Sequence, residues 1–181
     1  MTSTAPNSPE PQATPAPGWP AAPTVTPFDP HAATSTQRLA VGQLLADAFA
    51  HTHPDDPALR AETEALGLTH QLPTERTVHY AVWDGGRALA WGSLSYDLEQ
   101  NTHMAHLRLT VHPTMRRQGL GRAVLTRLLT HADELGRGTL TSGTSSRSPA
   151  GEAFASTLGA QPALPMRQDR KSTRLNSSHR T

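Results

Sequence analysis

Apolar positions along the chain change period several times, and each change marks an element. From residue 35 the residues Val41, Leu44, Leu45, Ala48 and Phe49 recur at helical spacing, so the pattern predicts a helix of about four turns with Ser35 as its N-cap. HTHPDDP at 51–57 is a loop by its prolines and aspartates, and ALRAETEALGL at 58–68 is a short helix closed by Gly67. HYAVW (79–83), DGG (84–86) and RALAWGSLSY (87–96) then read as strand, tight turn and strand. In MAHLRLTV (104–111) strict alternation places Ala105, Leu107, Leu109 and Val111 on one face and His106, Arg108 and Thr110 on the other. Leu120, Val124, Leu128 and Leu135 form the apolar stripe of a helix over 119–135. GTLTSG (138–143) reads as a short strand. SPAGEAFASTLGA (148–160) is a helix with Ser148 as N-cap, Pro149 in its first turn and Gly159 just past its end. With VTPF (25–28) as a first edge strand, the order is β-α-α-β-β-β-α-β-α.

Composition then sets the limits of that fold. The first thirty residues hold nine of the sixteen prolines, a composition too poor in apolar surface to offset the entropy of ordering. Residues 1–22 are therefore read as a disordered Pro/Ala-rich leader, and 181 residues leave room for one domain. The chain has no cysteine, which excludes disulfides, zinc–thiolate sites and any group parked on sulfur. No apolar run is long enough to span a bilayer and no secretory signal begins the chain, so a cytoplasmic protein without a membrane partner is expected. Residues 1–168 carry 12 Arg against 14 acidic residues, and outside the tail only Arg116, Arg117 and Arg122 come close together. That distribution argues against a nucleic-acid partner.

The run LTVHPTMRRQGLGRAVL (109–125) carries the chemistry: a strand, a proline turn, then Arg116-x-x-Gly119-x-Gly121 opening a helix. Glycines let a ligand approach the backbone, and the first amides of a helix have no internal partners and sit at the positive end of its dipole. A phosphate or pyrophosphate site follows from that chemistry. A dinucleotide fold would require Gly-x-Gly-x-x-Gly, and a P-loop would require a lysine, which this chain lacks before Lys171.

Together with the element order, this stretch resembles the GNAT (N-acetyltransferase) superfamily, with Val111-His112-Pro113 and Arg116 to Gly121 in place of its acetyl-CoA motif. The resemblance spans about 25–165 and implies an α/β (α+β) fold: a mixed, mostly antiparallel sheet with flanking helices. By position it assigns the amides of Arg117, Gln118, Gly119, Leu120, Gly121 and Arg122 to the CoA pyrophosphate. Leu109, Thr110 and Val111 fall to the pantetheine arm, and the strand at 138–143 is expected to splay away and admit that arm. Acetyl-CoA is the implied co-substrate, without a metal, and the implied acceptor is an amine of a small molecule or peptide.

The sequence departs from the family at the acid and base. Ala155, beside Phe154, stands where many members carry a tyrosine, and Ala105 where some carry a glutamate. His103, His106 and His112 are the replacement candidates, since an unperturbed imidazole titrates near ~6.5; each is equally compatible with an ordinary strand histidine. Asp97 and Glu99 are candidates to orient a cationic acceptor, and His51, His53, Asp55 and Asp56 have the composition of a metal site in a loop without a frame for one. Both alanines keep a second reading open, a non-catalytic acyl-CoA-binding or structural module, and QNTHMAHLRLTVHPTMRRQGLG resembles the N-terminal half of tandem-GNAT proteins. Residues 169–179, DRKSTRLNSSH, include the only lysine and can be encoded codon for codon by a common sequencing-library adapter. On this reading 169–181 is a non-native tail, and 23–168 is a GNAT domain whose C-terminal strands are truncated. Oligomeric state is left open.

Overall fold

The computed structural model describes residues 23–163, which fall into two compact units divided after Gly143. The expected leader (1–22) and non-native tail (169–181) lie outside the described residues. In the first unit come β1 (Val25–Pro27), α1 (Ser35–Thr52), α2 (Ala61–Gly67), β2 (Glu75–Asp84), β3 (Arg87–Asp97), β4 (Met104–Val111), α3 (Leu120–Glu134) and β5 (Thr139–Ser142). A short 3-10 turn, Pro113–Met115, joins β4 to α3. The second unit holds α4 (Pro149–Thr157), which ends in Gly159 with a φ of +75°.

The five strands form one sheet in chain order, β1-β2-β3-β4-β5. The first four are antiparallel and β5 is parallel to β4. The sheet is thus mixed and mostly antiparallel, as expected. Hairpins connect β2 to β3 and β3 to β4, whereas α3 carries the chain back across the sheet so that β5 starts at the same end as β4.

Adjacent residues of β3 show which helix covers which face. A Cβ at Gly92 would come within 2.8 Å of Val124 and Leu128, so that position faces α3 and the missing side chain lets the helix lie close. Trp91, 1% exposed, faces the other way and packs with Val41, Leu44 and Leu45 of α1, and with Phe28, Leu68 and Ala81. Gly42 performs the same service between helices: a Cβ there would collide with the Ala61 carbonyl, so α2 starts directly against α1.

Several local expectations change. Thr34, not Ser35, caps α1, because its hydroxyl accepts the Gln37 amide while the Gln37 side chain accepts the Thr34 amide. This is a reciprocal capping box, spelled Thr34-Ser35-Thr36-Gln37. The helix expected over 58–68 starts only at Ala61, since Arg60 is extended and offers no cap; Gly67 is helical, and Leu68 ends the helix instead. Leu135 lies past the end of α3 and is 37% exposed; Ala132 continues the buried stripe. β2 begins four residues earlier than its apolar run, where Thr77 and Ser95 bond across the strands at 2.9 Å.

Candidate functional site

The glycine turn at the start of α3 is built from two left-handed residues, Arg117 (φ +65°) and Gly119 (φ +81°). Gly119 is the N-cap, and a Cβ placed on it meets nothing within 4 Å, so the turn faces open space. The first helical bond runs from the Ala123 amide to the Gly119 carbonyl at 3.0 Å. The amides of Leu120, Gly121 and Arg122 therefore precede the helical ladder, with Arg117, Gln118 and Arg122 exposed around them.

A second feature leads into this turn. Pairing between β4 and β5 runs from Met104↔Thr139 to Leu107↔Ser142 and stops, while β4 continues to Val111. On its other side β4 stays paired with β3 through Ala90↔Val111. Leu109, Thr110 and Val111 consequently have one hydrogen-bonded edge and one edge without a strand among the described residues. An extended chain laid along that edge would end at the α3 turn.

The face of the sheet that meets α1 carries polar side chains in register. His79 pairs with Ser93, and Ser93 with Arg108; Thr77 pairs with Ser95, and Ser95 with His106. A cavity of about 500 Å³ borders these rows; its wall includes Phe28, Leu68, His79, Trp91, Ser93 and Arg108, and it extends to His131 of α3 on the other face. The Arg108 guanidinium lies 5.4 Å from the Trp91 ring centroid, and the His79 ring stacks on Trp91 at 5.7 Å. Burial drops the His79 imidazole from 6.5 to about 4; Asp29 opposes that shift, and Arg108 and His31 add to it. His79 Nδ1 and Trp91 Nε1 are both buried without a hydrogen-bond partner among the described residues.

The candidate acid/base residues separate on this frame. His103 is exposed ahead of β4, where its carbonyl accepts the Thr139 amide. His106 is exposed on the α1-side face, its Nδ1 3.2 Å from Thr141 Oγ1. His112 is 8% exposed and held on both nitrogens, by Arg87 at 2.7 Å on Nε2 and Thr114 at 2.9 Å on Nδ1, with Asp47 3.5 Å away. It joins the β2–β3 turn to α1 and has no free nitrogen for base work. Ala105 is 3% exposed and part of the core. Phe154 and Ala155 lie on α4, in the second unit.

Asp97 shapes its own turn: its Oδ1 accepts the Gln100 and Glu99 amides at 2.7 and 2.8 Å, which stabilises the charged form and lowers its pKa. In the 51–56 loop His53 stacks on Phe49 at 4.4 Å and bonds Thr52. Among the described residues no group of three or more His, Asp or Glu is placed to hold a metal, and no helix is long and apolar enough to cross a membrane.

The sequence reading overlooked His79, Ser93 and the cavity. The signal was present, because period-two counting puts His79 on the face of Ala81 and Trp83, an unusual place for an imidazole.

The sequence profile of the acetyltransferase (GNAT) family matches residues 39–159. No curated protein is a match. Among solved structures, a tandem GNAT protein from the clavulanic acid biosynthesis pathway superposes with a TM-score of 0.58 at 23% identity; the match covers 75% of this chain and 43% of that one. This chain thus spans under half of that relative. The ribosomal-protein-S18-alanine N-acetyltransferase from Escherichia coli gives 0.55 at 22% identity, over 78% of this chain and 79% of its own. An aminoglycoside N-acetyltransferase in complex with CoA gives 0.56 at 14% identity, over 85% and 99%. The strand-to-helix glycine turn, the interrupted β4–β5 ladder and a family profile spanning most of the described residues agree, and the chain belongs to the acetyltransferase (GNAT) family.

Proposed function

We propose that the protein is an acetyl-CoA-dependent N-acetyltransferase that acts on an amine of a small molecule or peptide, in the cytoplasm. The observation that carries this reading is the break in the β4–β5 ladder after Leu107↔Ser142, which opens toward the glycine turn of α3. The residues present suit acetyl-CoA: an open turn with unladdered amides and two exposed arginines for the pyrophosphate, and a free strand edge at Leu109, Thr110 and Val111 for an amide-bearing arm. Bound there, acetyl-CoA supplies an activated thioester carbonyl to an attacking amine. The chain's part is to hold that arm extended along the free edge of β4.

The buried Ala105 and the fully engaged His112 support a second reading, an acyl-CoA-binding module without its own acid and base. Calorimetry with acetyl-CoA, followed by thiol release against a panel of amines, tests both. Binding with turnover is expected; binding without turnover selects the module, and absence of binding refutes the co-substrate assignment.

A further inference from the structure

The cavity on the α1-side face has an uneven charge distribution. Its wall includes three carboxylates, Asp29, Glu64 and Glu75, against a single fixed cation, Arg108. Asp29 follows β1, Glu64 is on α2, and Glu75 opens β2, so the negative charge lies along the β2 side of the cavity. Arg108 is on β4, two strands away across the His79–Ser93–Arg108 row. At the usual strand spacing that row spans roughly 10 Å.

None of these charges cancels another. Among the described residues Glu64 and Glu75, both half-buried, have no ion-pair partner, and neither has Arg108, whose guanidinium rests on the Trp91 ring. The Asp29 carboxylate accepts the His31 amide at 2.9 Å. Between the two ends the floor is aromatic and polar: His79 and Trp91 each keep a buried ring nitrogen without a partner, and Ser93 is 3% exposed. Unpartnered buried polar atoms are uncommon in folded proteins. Arg108 directly follows Leu107, the last residue of β4 paired with β5, so the positive end of the cavity adjoins the opening read above as the thioester's path.

We propose that this cavity is the acceptor site and takes an amine that carries a second cationic group. This rests on the acetyltransferase reading and adds the substrate class. The distal cation sits among Asp29, Glu64 and Glu75. Arg108 repels it from the opening and so fixes which end points to the acetyl group. The chain between the two nitrogens crosses the floor of the cavity along the His79–Ser93–Arg108 row. The attacking nitrogen forms the new amide bond as the thioester C–S bond breaks; its proton leaves to solvent and the thiolate of CoA is the leaving group.

Three probes of one length test this with the full chain: heptanediamine, heptylamine and aminoheptanoate, which differ only in a distal positive, neutral or negative group. The diamine is expected to be acetylated with kcat/KM at least tenfold above heptylamine, and aminoheptanoate to be the poorest of the three. The double variant Glu64→Gln, Glu75→Gln should lower the diamine to the level of heptylamine and leave the acetyl-CoA dissociation constant unchanged. Equal kcat/KM for the three probes, or a preference for aminoheptanoate, overturns the proposal and leaves the acetyltransferase reading intact. If acetyl-CoA binds but no amine is acetylated, that reading fails, and the same three probes titrated by tryptophan fluorescence still decide the site. Binding in the order diamine, heptylamine, aminoheptanoate supports it, and any other order refutes it.

Discussion

Replacing His79 by Gln should remove an acid-sensitive part of the protein's stability. The imidazole is shifted from 6.5 to about 4 in the fold, chiefly by burial beneath Phe28 and against Trp91. Because the folded value lies below the unfolded one, the unfolded chain takes up the proton first as pH falls. The contribution is complete above 6.5 and is lost as pH drops toward about 4. At about 1.4 kcal/mol for each pH unit of displacement the full effect is ~3 kcal/mol, of which about 2 kcal/mol is lost between pH 7 and pH 5. Urea unfolding of wild type and His79→Gln across that range isolates the term, since every other titrating group cancels in the difference. The wild type should lose ~2 kcal/mol more than the variant between pH 7 and pH 5. Parallel pH profiles would refute the claim that His79 is held neutral.

Three further outcomes are expected. Gly119→Val places a β-branched side chain at a φ of +81° and into the open space above the turn; strain of about 1–2 kcal/mol and at least a tenfold weaker acetyl-CoA dissociation constant should follow, read by thermal melting and calorimetry. Gly92→Ala brings a Cβ to 2.8 Å from Val124 and Leu128 and 3.1 Å from the Arg108 carbonyl, so α3 must shift outward; a loss of about 1–3 kcal/mol in urea unfolding is expected. His112→Ala leaves Arg87 and Thr114 without their partner and should destabilise by ~2 kcal/mol while kcat for the folded protein stays within threefold. A fall of about 10²-fold or more in kcat would instead make His112 a proton-transfer residue.

Much of the frame was readable in the sequence because periodicity and turn chemistry report local geometry. β4 falls on its expected residues, and the DGG turn closes a two-residue hairpin between Asp84 and Arg87. The misses came where polar residues take part in regular structure. Glu75 to Val78 lie on β2 although their apolar signal is weak, because cross-strand bonds such as Thr77–Ser95 replace it. The Thr34 cap was written in the sequence as a capping box and was passed over for its neighbour. His112 looked like a free imidazole because Arg87 and Asp47, which flank it, are 25 and 65 positions away in sequence.

The two halves of the site differ in legibility for a physical reason. A strand edge and a helix N-terminus hold a ligand through main-chain amides, so glycine placement and a proline turn nearly specify them, whatever side chains surround them. Acceptor recognition depends on side chains that three strands, a short helix and a loop bring to one face. No spacing in the sequence links Asp29, Glu64, Glu75 and Arg108; strand register relates β2 to Arg108 through His79↔Ser93 and Ser93↔Arg108, and the loop after β1 and α2 bring Asp29 and Glu64 to the same cavity. The same parity keeps the roles apart on β4, where Leu107 faces the core beneath α3 while Arg108 reaches Trp91 on the α1 side. A substitution at Arg108 can therefore retune acceptor choice without moving the main-chain edge one residue further on. Substitutions at Leu107 act through the core instead. Arg108→Ala should accordingly change amine preference and Leu107→Ala lower stability, and an Arg108 variant with unchanged preference would show that the acceptor does not bind on this face.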